Sequence, residues 1–335
     1  MNKKVLAVAL ALVMLVALVA GCGGAKKEEK KPEGAKYTFR LAETHPPEHP
    51  TAQADKEFAK LVGERSNGRI KIDVFPGAQL GEEKAVIEQV QLGAIEFTRV
   101  SSGPLAEFNK QLGVFSLPYI FDSNSHMWKF LNGPGGEKLL KGLEGSKFIG
   151  LSYFEPGDRN FYAKKPINKL EDLKGMKIRV IQNKINMDMI AALGASATPM
   201  PWGEVFSGLQ TGVIDAAENN WPSFLSSNHY QVAKYWISDA HQRVPEVLMM
   251  SKVAFDKLSD EDKKLIKQAA ADTVKIQREL WAKSEKDAEA KVRAAGVTVV
   301  EVKDLKPWQA AVKPVIDKYG ADYAETLKEI DAARK

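Results

Sequence analysis

Tyr37-Thr38-Phe39-Arg40-Leu41-Ala42 opens a stretch, running to Ser101, that switches between two hydrophobic periods. Apolar and polar residues alternate through the hexapeptide, as on a half-buried strand. From about Thr51 to Arg65 the period lengthens, and Ala54, Phe58, Leu61 and Val62 fall on one helical face. Ile70-Lys71-Ile72-Asp73-Val74-Phe75 alternates again and is closed by Pro76-Gly77. A second helix is expected over about Glu82 to Leu92, with Gly93 as its C-cap, and Ile95 to Ser101 supplies a third strand. Strand, helix, strand, helix, strand is the rhythm of a parallel sheet with helices on its faces.

A similar cycle recurs further on, with strands expected near Phe148–Tyr153, Asn160–Ala163 and Lys177–Val180. Leu170 to Gly175 reads as a short helical turn before the last of these. One later element stands out by length. Ser259-Asp260-Glu261-Asp262 has the form of a helix N-cap with acidic residues in the first turn. Apolar positions then recur from Leu265 through Ile276, Trp281 and Ala288 to Val292, and Gly296 is the first stop signal. That is about 36 residues, or roughly 54 Å of helix if unbroken. Such a helix spans more than one small domain; two helices with an unmarked break are the alternative.

The chain has 335 residues with 48 Lys+Arg against 43 Asp+Glu, a formal charge of +5, and 44% hydrophobic residues. This is globular composition, and the length suggests two domains. The single Cys excludes an internal disulfide or a Cys-based metal site. The body mixes both charges without a basic stripe, so no nucleic-acid partner is expected. At the N-terminus, Lys3-Lys4 precedes an apolar run from Val5 to Ala20 that is short for a membrane span. Val19-Ala20-Gly21-Cys22 resembles a bacterial lipobox, which implies a lipoprotein signal peptide over 1–21 and lipidation of Cys22. Residues 22–36 carry no large apolar side chain and read as a lipid-anchored flexible spacer. The body would then lie outside the cytoplasmic membrane.

Enzyme motifs are absent: no Walker loop, no G-x-G-x-x-G, no G-x-S-x-G and no H-E-x-x-H. His45-Pro46-Pro47-Glu48-His49 does match the inverted zinc-protease pattern H-x-x-E-H. That chemistry needs both His on one helical face, and two consecutive prolines forbid the helix. No cofactor, no metal and no catalytic role are expected. A carboxylate pair such as Glu83 and Glu246 would be the acid–base candidate if the chain were an enzyme acting on a carbohydrate acid.

Hydrogen-bonding groups at strand ends remain. Arg179, in Lys177-Ile178-Arg179-Val180-Ile181, sits in a strand that looks buried. A guanidinium there needs an anion, and its planar fork fits a carboxylate; an internal salt bridge is the alternative. Arg159, in Gly157-Asp158-Arg159-Asn160, lies at a loop edge. Asn219 and Asn220 follow the strand-like Val213–Ala217 and suit either a polyol or a turn. Trp202 would be a stacking wall or a core residue.

These segments, in order, resemble the solute-binding proteins of tripartite ATP-independent periplasmic (TRAP) transporters over residues 36–335. The resemblance rests on Pro76-Gly77-Ala78-Gln79-Leu80-Gly81-Glu82-Glu83, Leu117-Pro118-Tyr119-Ile120-Phe121, Lys165-Pro166-Ile167, Leu170 through Val180, Leu209 through Asp215, Glu218-Asn219, and His241 to Ser251. It implies a type II periplasmic-binding-protein-like α/β fold, two lobes around a central ligand cleft with a long bridging helix. The expected division is lobe I over 37–156 and lobe II over 157–244. Residues 245–284 would return to lobe I and start the bridging helix, and 285–335 would end it and add helices packed on lobe II.

The resemblance also implies an organic-acid ligand and partners in the small and large membrane subunits of a TRAP permease. Arg179 matches the main carboxylate-binding arginine of the family, Arg159 a second arginine, and Asn219 an asparagine at the same end. Trp202 falls at an aromatic cleft position, Glu83 at an acidic position facing ligand polar groups, and His45, Arg99 and Glu246 in cleft-facing segments. Glu43-Thr44-His45-Pro46, Thr98-Arg99-Val100-Ser101 and Glu218-Asn219-Asn220 look like the sugar-acid branch, whose ligands include uronates. A C4-dicarboxylate is the alternative, with Arg99 as its second cationic pole.

Overall fold

The computed structural model describes residues 35–334, so the expected signal segment, Cys22 and nearly all of the spacer lie outside the described residues. The opening stretch folds as its periods dictate. β1 (Tyr37–Ala42) and β2 (Ile70–Phe75) pair in parallel from Tyr37 opposite Ile70 to Ala42 opposite Phe75. Between them α1 (Pro50–Arg65) buries Ala54, Phe58 and Val62 against the sheet. Each such side chain contributes about 1.5–3 kcal/mol of burial for its larger members. Next, α2 (Glu83–Leu92) ends at Gly93, whose φ of 78° is the left-handed cap, and β3 (Phe97–Ser101) joins β1 in parallel.

Beyond β3 the expectation of a parallel sheet fails. The chain continues through α3 (Asn124–Leu131) and α4 (Pro134–Gly142) to β4 (Phe148–Phe154) and then β5 (Arg159–Ala163). Four residues between β4 and β5 are too few for a helical crossover. The two strands instead enter different sheets. β6 (Lys177–Val180), α5 (Lys184–Ala192), β7 (Ser196–Pro199), α6 (Val205–Thr211) and β8 (Ala216–Asn219) follow. After α7 (Trp221–Ser226) come β9 (Tyr235–Gln242) and β10 (Glu246–Ser251). The last elements are α8 (Asp260–Ala294), β11 (Thr298–Glu301), α9 (Lys306–Tyr319) and α10 (Ala324–Ala332).

Among the described residues the strands form two sheets, β2-β1-β3-β10-β4 and β11-β9-β5-β8-β6-β7. Both are mixed: β10 runs antiparallel to β3 and β4, and β5 antiparallel to β8 and β9. The chain therefore crosses between sheets after β4, after β9 and through α8. One apolar core is continuous across them, joining Phe115, Phe130, Tyr153 and Val247 to Phe161, Ile178 and Ile237. It holds the sheets together on one side and leaves their strand ends facing each other.

α8 is unbroken over 35 residues, with the Ser259 hydroxyl accepting from the Asp262 amide at 3.1 Å. It packs on α1 and β4 of the first sheet and on α7 beside the second. The C-terminal helices divide. α9 packs on α5, whereas α10 packs on α3 and α4, where the His126 ring bonds the Ile330 carbonyl at 2.7 Å. The expectation that all of 285–335 beyond the long helix packs on the second lobe is thereby corrected.

At the first crossing Gly157 has φ +62°, and a Cβ there would lie 2.9 Å from both the Glu285 carboxylate and the Trp281 ring. Gly157→Ala is expected to lower unfolding free energy by about 1–3 kcal/mol, read by chemical denaturation.

Candidate functional site

Strand ends build the cleft. β3 ends at Ser101, and the antiparallel β10 begins at Glu246 directly opposite it. On the other sheet β5 begins at Arg159, β8 ends at Asn219, and Arg179 lies next to the end of β6. Ligands of open α/β sheets bind outside strand ends of this kind. The facing ends enclose about 360 Å³ of empty space, open mouth included. Thr44, His45, Glu83, Ser101 and Glu246 line it from the first sheet; Arg159, Arg179, Ile181, Trp202 and Asn219 line it from the second.

The second wall is cationic, and its two arginines differ. Arg159 bonds the Glu218 carboxylate through Nε, the Glu218 carbonyl at 3.0 Å through Nη2 and the Asn219 Oδ1 at 3.3 Å through Nη1. Burial works against its charge, but Glu218 raises its pKa above the ordinary value. Arg179 is only 5% exposed, yet among the described residues no carboxylate lies within salt-bridge distance of it. Its Nε and Nη2 donate to one neutral acceptor, the Met200 carbonyl, at 3.1 and 2.9 Å. The Trp202 ring lies 5.4 Å from the guanidinium carbon. Burial lowers the pKa of Arg179, against the pull of Glu218. Asn219 spends Oδ1 on Arg159 and on the Asn220 amide, which leaves Nδ2 as its free donor.

Behind this wall runs a buried charge relay of four groups. Glu218, opposed by burial but held by Arg159 and His241, titrates at about 2. His241 lies 3.6 Å from Glu218 and 2.8 Å from Asp239. Burial lowers its pKa, but Asp239 and Glu218 more than compensate and raise it to about 9.

The first wall is anionic. Arg99 is fully buried and does not line the cleft. Its Nε donates to Glu43 at 2.7 Å and its Nη2 makes a second bond to the same carboxylate; its Nη1 meets Glu246 at 2.5 Å and Glu83 at 3.4 Å. One guanidinium thus serves three carboxylates. The role of Arg99 as a second cationic pole is corrected accordingly. Glu83 accepts from the Ser101 amide at 2.7 Å, and burial raises its pKa against the pull of Arg99. The His45 Nδ1 lies 2.9 Å from Glu43, and the ring stacks on His49 with centroids 3.8 Å apart. His49 itself caps α1, accepting from the Thr51 amide at 3.2 Å, and its Nε2 lies 3.2 Å from the Ser223 hydroxyl.

Seven residues singled out by the sequence thus come together: His45, Glu83, Arg159, Arg179, Trp202, Asn219 and Glu246. Asn220 does not. Its Oδ1 caps α7 by accepting from the Ser223 amide at 2.8 Å, and its Nδ2 donates to the Pro156 carbonyl at 3.0 Å. Thr44, Ser101 and Ile181 were missed. Ser101 shares a strand face with Arg99 by the two-residue period and sits closer to the strand end, which is the signal that points to it.

Two mixed sheets with a polar cleft between their strand ends, one wall cationic and the other anionic, define a cleft-type solute-binding protein. The chain belongs to the DctP family, bacterial extracellular solute-binding protein, family 7, whose pattern matches residues 41–322. It is 42% identical to a TRAP periplasmic solute-binding protein from Xanthobacter autotrophicus Py2 whose structure contains β-D-galacturonate. That match has a TM-score of 0.86 and covers 88% of this chain and 99% of the other. A counterpart from Pseudomonas putida F1 with bound D-glucuronate is also 42% identical, with a TM-score of 0.86, covering 88% and 97%. A solute-binding protein from Chromohalobacter salexigens is 38% identical over 282 residues, 84% of each chain.

The relay sets a pH dependence. His241 has a raised pKa, so its stabilising contribution is complete below its ordinary 6.5 and is lost as pH rises through about 9. Glu218 has a lowered pKa, so its contribution is complete above 4.5 and is lost as pH falls toward about 2. The melting temperature of the wild type is expected to fall between pH 6.5 and pH 9. In His241→Gln that alkaline slope should flatten, which a pH series of thermal melts measures.

Proposed function

We propose that the protein captures a uronate such as galacturonate or glucuronate and delivers it to the small and large membrane subunits of a TRAP permease. The observation that carries this reading is the contrast between two buried arginines. Arg99 is saturated by carboxylates of its own chain, whereas among the described residues the only hydrogen-bond acceptor of Arg179 is a carbonyl. A ligand carboxylate would complete Arg179, with Arg159 and the Asn219 amide beside it and Trp202 flanking. The remainder of the ligand then faces Glu83, Glu246 and His45. Carboxylates accept from hydroxyls and repel a second carboxylate, so this wall suits a polyol. The uronates in the two structures at 42% identity support the same chemistry.

A C4-dicarboxylate would need a cationic group on the first wall, and Arg99 does not reach it. Nor are Glu83 and Glu246 a free acid–base pair, since both share the Arg99 guanidinium; the reading contains no catalysis. It includes lipid anchoring at Cys22 outside the cytoplasmic membrane, and lobes over 37–156 and 157–244 that move about the inter-sheet crossings.

Arg179→Ala is expected to weaken galacturonate binding by about two to three orders of magnitude, as removal of one partner from a buried ion pair does. Arg179→Lys should not restore full affinity, because an ammonium lacks the planar fork. Galacturonate or glucuronate should bind at least about 100-fold more tightly than succinate, a gap of about 2.7 kcal/mol. Calorimetry with both acids tests this; comparable affinities would return the site to dicarboxylates, and an unaltered Arg179→Ala would remove the clamp.

A further inference from the structure

Consecutive carboxylates at the start of α2 point to different tasks. Glu83 lines the cleft, whereas Glu82 does not. Glu82 occupies the N-cap position of α2, yet its side chain makes no capping bond to its own helix. Its Oε1 instead accepts from the Gly203 amide at 3.2 Å, 121 residues away. Gly203 belongs to the Trp202–Glu204 turn, on the wall that carries Arg179. The bond therefore runs across the mouth of the cleft, from the first sheet to the second.

Two further facts mark this contact as more than incidental. A Cβ on residue 203 would lie 2.4 Å from the Glu82 Oε1, so the approach depends on glycine, and its backbone leaves the carboxylate room to reach the amide. Glu82 is also half-buried at a cost: burial raises its pKa, opposed by the Gly203 amide and by Arg179. A capping Ser or Asp would have served the helix without that cost.

We propose that Glu82 is a latch, a residue that binds the opposite wall rather than the ligand and so slows release from the closed cleft. It is a positioning residue: the Gly203 amide it holds is adjacent to Trp202, which lies over the carboxylate-binding Arg179. An interaction made only after the walls meet should act on dissociation and leave association nearly unchanged.

The test uses the full chain and stopped-flow release of galacturonate, or of whichever organic acid raises the melting temperature most. A different acid would overturn the uronate reading while leaving the latch measurable. Glu82→Ala is expected to release ligand about five- to tenfold faster, the fold-change carried by one hydrogen bond to a charged group at a partly solvated rim. Association should stay within about twofold of wild type. Glu82→Gln keeps a carbonyl acceptor and should recover most of the slow release, which a general packing defect would not permit. Gly203→Ala should release as fast as Glu82→Ala. With ligand bound, hydrogen exchange at the Gly203 amide should be faster in Glu82→Ala than in wild type. Wild-type release together with unchanged Gly203 exchange in Glu82→Ala would overturn the latch.

Discussion

A guanidinium taken out of water must be given an anion or remain a liability, and Arg179 is buried against a single neutral carbonyl. The arrangement of the cleft follows from that deficit. Arg159 beside it is satisfied by Glu218, so the two arginines are not equivalent and only one calls for an external partner. Glu218 is held from both sides, by the Arg159 guanidinium and by His241 at 3.6 Å. The relay therefore does more than stabilise the second sheet. On the proposed reading it leaves the charge of Arg179 to the ligand carboxylate.

The topology makes such a reservation possible. The four-residue connection leaves no room for a parallel crossover, β4 and β5 lie in separate sheets, and the antiparallel β10 and β5 bring strand beginnings to the same edge as the ends of β3, β8 and β6. Glu246 and Arg159, each the first residue of its strand, thereby face the cleft from opposite walls. A purely parallel arrangement would have placed strand beginnings at the far side of each sheet. The shared apolar core below closes one side of the gap, and α8 ties α1 and β4 to α7 across it.

Local periodicity made the elements legible, since β1, β2 and β6 match their alternating runs and α8 runs from its Ser259 cap almost to Gly296. What local pattern cannot carry is partner identity. Arg99 and Arg179 look alike in sequence, both in short strands of apolar neighbours. They are separated by contacts 56 and 147 residues distant, from Glu43 and Glu246 to Arg99, and by the lack of any such contact at Arg179 among the described residues. Asn220 was ambiguous for a similar reason. An asparagine before Trp-Pro-Ser can cap a helix or face a ligand, and only the Ser223 amide decides between them. The mixed sheet directions were illegible because they depend on where the chain returns after β9, not on the period within any strand.

Stability and recognition are joined through the same charges. On the first wall three carboxylates share one guanidinium, an excess of negative charge that burial makes costly and that raises the pKa of Glu83. On the second wall the excess is positive. The two imbalances have opposite sign and face each other across the cleft, so each favours the other's approach, yet neither is neutralised by direct contact. On the proposed reading, a ligand with one carboxylate and several hydroxyls serves both walls: its anion would complete Arg179, and its hydroxyls would donate to Glu83 and Glu246 beside the bonds these already accept from Arg99 and the Ser101 amide. A dianion would relieve one wall and worsen the other. Under that proposal, selectivity would reside in the spacing of unspent charge as much as in the shape of the cavity.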